Sequence, residues 1–281
     1  MKRILVCTDG SAYAQVCCQY AGWLAGRTGA EVEVLYVTDL RQFEVPLIAD
    51  LSGSLGIQPY QAILGQLQEL EEKKAALILE NATKTVRDAG AAGEVSSVHK
   101  TGLLVDCLTD HEAGADVVLL GKRGENANFA TEHLGSTMER VVRASSRPCL
   151  VTSRAFKPVT RLLVAYDGGP SGTKALDFLC ASSAFRGLET HVVVVAGAMD
   201  ADTSLRHLRE AETKLSAAGI KPVCQMLHGT AEDQISSYVV ANDVNLLLMG
   251  AYGHSRIRYL VIGSTTTEMI RTCRIPVLLF R

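Results

Sequence analysis

Several things are missing from this 281-residue chain, and each absence excludes a class of function. No apolar run approaches the roughly 18 to 20 residues a helix needs to cross a bilayer. Excess charge of either sign is missing too: 28 Lys and Arg stand against 30 Asp and Glu, for a formal net charge of -2. With a pI near 6.4, the chain has no long-range field to gather nucleic acid or an anionic lipid surface. Neither partner is expected, and any bound anion has to be held locally. The eight cysteines (Cys7, Cys17, Cys18, Cys107, Cys149, Cys180, Cys224 and Cys273) form no CxxC pair and no Cys/His cluster at zinc spacing. Most sit among apolar neighbours, as buried reduced thiols do, and Cys17 and Cys18 point to different sides of a helix, which disfavours a disulfide between them. No GxxxxGK[ST] is present, since Lys122 follows Gly121 but precedes Arg123, and no GxGxxG opens a helix. His99, His111, His133, His191, His207 and His228 are dispersed, at no metal spacing, and no Ser/His/Asp or Cys/His constellation can be argued.

What is there describes a globular protein: 47% hydrophobic and 21% charged residues, with a mean hydropathy of +0.15. The length suits two domains, each able to bury its own core. Met1-Lys2-Arg3 leads into a β-like run rather than a leader peptide, so the cytoplasm is the expected location.

The chain is written twice. RILVCTDGS (3 to 11) returns as RLLVAYDGGPS (161 to 171), ADVVLLGKRG (115 to 124) as VNLLLMGAYG (244 to 253), and LGSTMERVVRASSRPCLV (134 to 151) as IGSTTTEMIRTCRIPVLL (262 to 279). Asp9 and Gly121 are 112 positions apart, while Asp167 and Gly250 are 83 apart. The first copy therefore carries 29 extra residues, which fall between its second and third strands. The polar stretch 153 to 158 joins the copies, giving domains at 1–154 and 159–281. Short Val/Leu/Ile runs alternate with helical patterns: strands are expected near 2–7, 31–37, 94–99, 116–121 and 149–153, then 161–166, 189–195, 222–228, 245–250 and 277–280. Runs such as DVVLLG and NLLLMG are apolar on both faces, as central parallel strands covered by helices must be. Each half is thus an α/β domain with a five-stranded parallel sheet and helices on both faces, whose ligand crevice lies beyond the carboxyl ends of the strands.

Gly250 closes the fourth strand of the second copy, so the loop after it opens onto that crevice. Gly250 and Gly253 let backbone amides approach a ligand with no Cβ in the way. At the far end Ser264 or Thr265 is expected as the N-cap of a helix, Glu268 completing a capping box with Thr265, so Gly263 sits just ahead of a helix N-terminus that favours a phosphate. His254, Arg256 and Arg258 lie between, and well-placed charge-assisted bonds contribute roughly 1.5–3 kcal/mol each.

The pattern Gly250-x2-Gly253-x9-Gly263-Ser264, with DGGPS after the first strand, is similar to that of the ATP-binding type of universal stress protein, and the duplication resembles the tandem form of that family over nearly the whole chain. The resemblance implies two Rossmann-like domains of the adenine-nucleotide α-hydrolase kind, sheet order 3-2-1-4-5, with ATP, alone or with Mg2+, lying across strands 1 and 4. Carried over, Gly250, Gly253, Gly263 and Ser264 face the phosphates and ribose beside the Thr265 hydroxyl, while Asp167, Val194 and Val195 line the adenine and ribose side. It also implies that the halves pack as a pseudo-dimer through their fifth strands, CLVTS and VLLF, with a further homodimer of whole chains open.

The first copy departs from the pattern. Ten residues, ENANFATEHL, separate Gly124 from Gly135; they carry Glu125 and Glu132 and no Lys or Arg, whereas HSRIRYLVI carries two arginines. Nucleotide is expected in the second domain, and weakly or not at all in the first, with two competent sites as the alternative. Asp9 is read as bridging loop amides, and Asp167 equally as that or as a ligand contact. With no evident general base, a nucleotide-dependent stress sensor or regulator with at most slow hydrolysis is the leading reading. An adenylating or ATP-cleaving enzyme, and an interaction module with vestigial pockets, remain as alternatives. The 41 to 60 insertion reads by default as a surface loop.

Overall fold

A computed structural model describes residues 1–39, 59–124, 136–196, 201–251 and 263–281. The first half runs β1 (Arg3–Thr8), α1 (Ala12–Thr28), β2 (Glu31–Thr38), α2 (Pro59–Asp88), β3 (Val95–Thr101), α3 (Leu104–Glu112), β4 (Val117–Gly121), α4 (Ser136–Ala144) and β5 (Cys149–Thr152). The second repeats it as β6 (Arg161–Ala165), α5 (Pro170–Ala181), β7 (Glu189–Ala196), α6 (Ala201–Ala217), β8 (Val223–His228), α7 (Ala231–Ala241), β9 (Leu246–Gly250), α8 (Ser264–Thr272) and β10 (Val277–Phe280). Each expected strand is found within two residues of its expected ends.

The ten strands form one sheet in the order β3-β2-β1-β4-β5-β10-β9-β6-β7-β8. Within each half the order is 3-2-1-4-5 and every pairing is parallel. The halves meet where β5 and β10 pair antiparallel, Leu150 opposite Leu278 and Val151 opposite Val277. Strand alternation explains the layers. Ile4, Val6, Leu119, Leu162, Val164, Leu246, Leu248 and Leu278 point into a core on one face, while their neighbours Leu5, Val118, Leu120, Leu163, Leu247, Met249 and Leu279 point into a core on the other. Both cores take residues from both halves, so the antiparallel seam is continuous above and below the sheet. The outermost strands β3 and β8 are instead mostly exposed or half-buried, as edges are.

Local chemistry sets the helix ends. The Ser11 hydroxyl caps α1 by accepting the Ala14 amide at 3.2 Å, and Gly29 ends it in the left-handed region. In α5 Gly169 is the N-cap and Pro170 opens the first turn. The 29 extra residues of the first copy fall where expected: α2 has 30 residues against 17 in its counterpart α6, and residues 41 to 58 of the insertion lie outside the described residues. The segment between the copies is pinned to α1: the Tyr20 hydroxyl accepts the Lys157 amide and donates to its carbonyl, and Phe156 meets the Tyr20 ring edge-on at 4.8 Å.

Candidate functional site

The crevice of the second domain lies at the carboxyl ends of β6 and β9, where the chain turns to opposite sides of the sheet. One wall is the turn from β6 to α5. Gly168 takes φ +75, and a Cβ there would lie 2.2 Å from the His207 ring of α6, so only glycine fits. The Asp167 carboxylate accepts the Gly169 amide at 2.8 Å, closing the turn on itself. Gly250 backs directly onto this turn: an added Cβ would sit 3.0 Å from Ser171 Cβ.

The other wall is the start of α8. The Gly263 amide donates to the Ala251 carbonyl at 3.3 Å, and the Thr266 hydroxyl donates to the Gly250 carbonyl at 3.1 Å. These two bonds set the helix N-terminus against the end of β9. The N-cap is Gly263, with no side-chain cap, which corrects the expectation that Ser264 or Thr265 would cap α8. Glu268, expected to complete a capping box, pairs with Arg271 instead, at 2.8 Å. The first intrahelical bond is from the Thr267 amide to the Gly263 carbonyl, so the amides of Ser264, Thr265 and Thr266 have no intrahelical acceptor. Gly250, Gly263, Ser264 and Thr265 are thereby brought together, with Asp167 across Gly250.

Val194 differs from expectation. Its side chain is 0% exposed and belongs to the core, because the alternation of β7 turns it inward; only Val195 and Ala196 are half-buried at the end of the strand. Gly253, His254 and Arg256, with Arg258, lie outside the described residues. His207 was passed over in the sequence, and no local pattern marks it: it reaches Gly168 from another element. Its Nδ1 and the Ser204 hydroxyl one turn earlier are buried with no hydrogen-bond partner among the described residues.

The first domain's crevice is built differently. The Asp9 carboxylate accepts the Ser11 amide at 3.0 Å, the loop-bridging role expected of it. The Gly121–Gly124 turn folds down upon that loop: a Cβ on Gly124 would lie 2.7 Å from the Asp9 carboxylate and one on Gly121 would lie 3.0 Å from Tyr13 Cβ. Tyr13 stands where the second domain has Ser171, and its hydroxyl accepts from Arg154 Nε at 2.7 Å. Lys122 of this turn points away, into the second domain.

All eight cysteines are free, and burial pushes the Cys7, Cys18 and Cys149 thiols up to about 12, far from a nucleophilic thiolate at neutral pH. Among the described residues no three His, Cys, Asp or Glu side chains gather as a metal site, and no helix is long and apolar enough to cross a membrane.

The model of the universal stress protein family matches this chain twice, over residues 1–153 and 158–281. The chain belongs to the universal stress protein family. The universal stress protein Slr1230 of Synechocystis sp. is 46% identical over 288 aligned residues, covering 100% of both chains. The universal stress protein MJ0577 of Methanocaldococcus jannaschii is 26% identical across 54% of this chain and 95% of its own. Among solved structures, a universal stress protein from Archaeoglobus fulgidus superposes with a TM-score of 0.73 over 99% of this chain and 96% of its own, at 23% identity, which speaks to the fold.

Proposed function

We propose that this universal stress protein binds ATP in its second domain and works as a nucleotide-dependent stress sensor or regulator rather than as a fast enzyme. The observation that carries the reading is the uncapped N-terminus of α8 seated against Gly250. Three amides of its first turn and the positive end of its dipole face the place a polyphosphate would take, with the Ser264 and Thr265 hydroxyls beside them. Asp167 and the end of β7 at Val195 supply the ribose and base side. His254 and Arg256 would add charge-assisted bonds, and Gly253 a close backbone approach.

These residues fit a phosphate better than they fit a metal. The Asp167 carboxylate already accepts the Gly169 amide, and among the described residues no three His, Cys, Asp or Glu side chains gather as a metal site. Any Mg2+ would therefore ride on the phosphates. The first domain serves as the weak or empty partner: Tyr13 occupies the place of Ser171, and the Gly124 backbone closes on Asp9. The antiparallel β5·β10 seam supports a pseudo-dimer of the two halves, a homodimer of whole chains is left to light scattering, and eight free thiols suit the reducing cytoplasm. The test is to denature the purified protein and identify the released nucleotide by chromatography and mass. Adenine nucleotide is expected from the wild type and not from Gly263→Val; equal recovery from both would reject the site.

A further inference from the structure

Lys122 directly follows Gly121, yet its ammonium lies at the far end of α8. Nζ donates to the carbonyls of Arg271 at 2.5 Å and Cys273 at 3.2 Å. These carbonyls end the helix whose first turn forms the proposed phosphate cradle. At nine residues α8 spans roughly 13 Å, so one short rigid element joins the first domain's Gly121–Gly124 turn to the second domain's crevice. A reciprocal contact exists: Arg281 donates to the Arg143 carbonyl at 2.9 Å, in the last turn of α4, while its own carbonyl accepts Lys174 Nζ at 2.7 Å from α5. Each crevice helix is thus gripped at its carboxyl end by a cation from the opposite half, where positive charge complements the helix dipole.

We infer that Lys122 is a positioning residue for the second domain's anion site, holding α8 from behind so that the Ser264–Thr266 amides stay aimed at a phosphate-bearing ligand. The inference rests on the ATP reading above. It also gives the first domain's Gly-x-x-Gly turn a task other than holding a nucleotide of its own. Lys122 is kept there at a cost. Burial pushes its ammonium down to about 8, and Arg123 and Arg154 push in the same direction, while the Cys273 thiol beside it pulls the other way. The guanidinium of Arg271, on the same helix end, is paired with Glu268. A folded pKa below the ordinary lysine value means that the charged form is disfavoured by folding, and that this group's contribution to stability improves as pH rises from about 8 toward the unfolded value. Ligand affinity runs the other way, because the charge that steadies α8 is lost over the same rise. A residue serving the scaffold alone would not separate the two.

The test is ATP titration calorimetry on the full chain between pH 7 and 9.5, for wild type, Lys122→Arg and Lys122→Met, with thermal unfolding of each. Wild-type affinity is expected to fall across pH 8. Lys122→Arg should hold its affinity throughout, and Lys122→Met should bind roughly three- to tenfold more weakly at pH 7 while unfolding at an equal or higher temperature. In the ligand-free chain, hydrogen exchange of the Thr267 amide should quicken in Lys122→Met. Wild-type binding that Lys122→Met retains in full at every pH, with unchanged exchange at Thr267, overturns the inference and leaves the ATP reading standing. Absence of wild-type binding overturns both.

Discussion

The two crevices occupy equivalent places in equivalent domains, and they differ in four respects. Where the second has Ser171, the first has Tyr13; where the second has Ala251, the first has Lys122; the basic HSRIRYLVI segment answers to the acidic ENANFATEHL. The fourth difference is geometric, the Gly124 backbone packed on the Asp9 carboxylate. Duplication preserved the scaffold because the two cores demand the same alternating strands. It did not preserve the crevice residues, because crevice side chains contribute little to those cores. On the proposed reading, one half holds the ligand while the other steadies the helix that does so.

The comparison can be broken most forcefully at the seam. Leu278 is buried and faces Leu150 across the antiparallel pairing, so Leu278→Ala should cost about 2–5 kcal/mol. Trp23, the single tryptophan, lies in the first domain. Its fluorescence should report the loss as a lower urea midpoint if the halves unfold together, and an unmoved Trp23 transition would mean that they are independent. Next in size, Gly250→Val drives a side chain against Ser171. ATP affinity should drop roughly thirtyfold, the equivalent of about 2 kcal/mol, whereas the matching Gly121→Val, which reaches that site only through the neighbouring Lys122, should weaken it by no more than about tenfold on the same scale. Calorimetry on both variants decides whether the halves are functionally unequal. A smaller effect is expected from Tyr13→Ser combined with replacement of residues 125–134 by HSRIRYLVI. That exchange should raise ATP stoichiometry above one per chain in native mass spectrometry; an unchanged value would mean that the Asp9–Gly124 contact closes the first crevice by itself. Smallest is the stability of Lys122→Met, which should exceed the wild type slightly at pH 7. The difference should shrink as pH rises through about 8, since the wild type then sheds the buried charge by losing its proton.

The strands and their parallel pairing were legible in the sequence because runs such as NLLLMG are apolar on both faces and recur in register with the glycines that follow them; the strand order was implied only by the family resemblance. The site was legible in part. The placement of Gly250 and Gly263 followed from spacing, but the cap of α8 did not. Ser264, Thr265 and Glu268 all have the chemistry of a capping box, and only the tertiary bond from Thr266 to Gly250 and the pairing of Glu268 with Arg271 show that none of them caps. That the Val194 side chain faces the core was not legible, because the run VVVV holds no polar residue to reveal which face points inward. His207 and Lys122 were invisible for a different reason. One reaches Gly168 from 39 residues away and the other reaches Arg271 from 149; no local pattern encodes contacts of that span.

The measurement that bears most directly on the central claim is the ATP stoichiometry of the intact chain by native mass spectrometry, for wild type, Gly263→Val and Gly124→Val. The account predicts one nucleotide per chain, lost in Gly263→Val and retained in Gly124→Val. No bound nucleotide in the wild type, or binding that survives Gly263→Val, would contradict it.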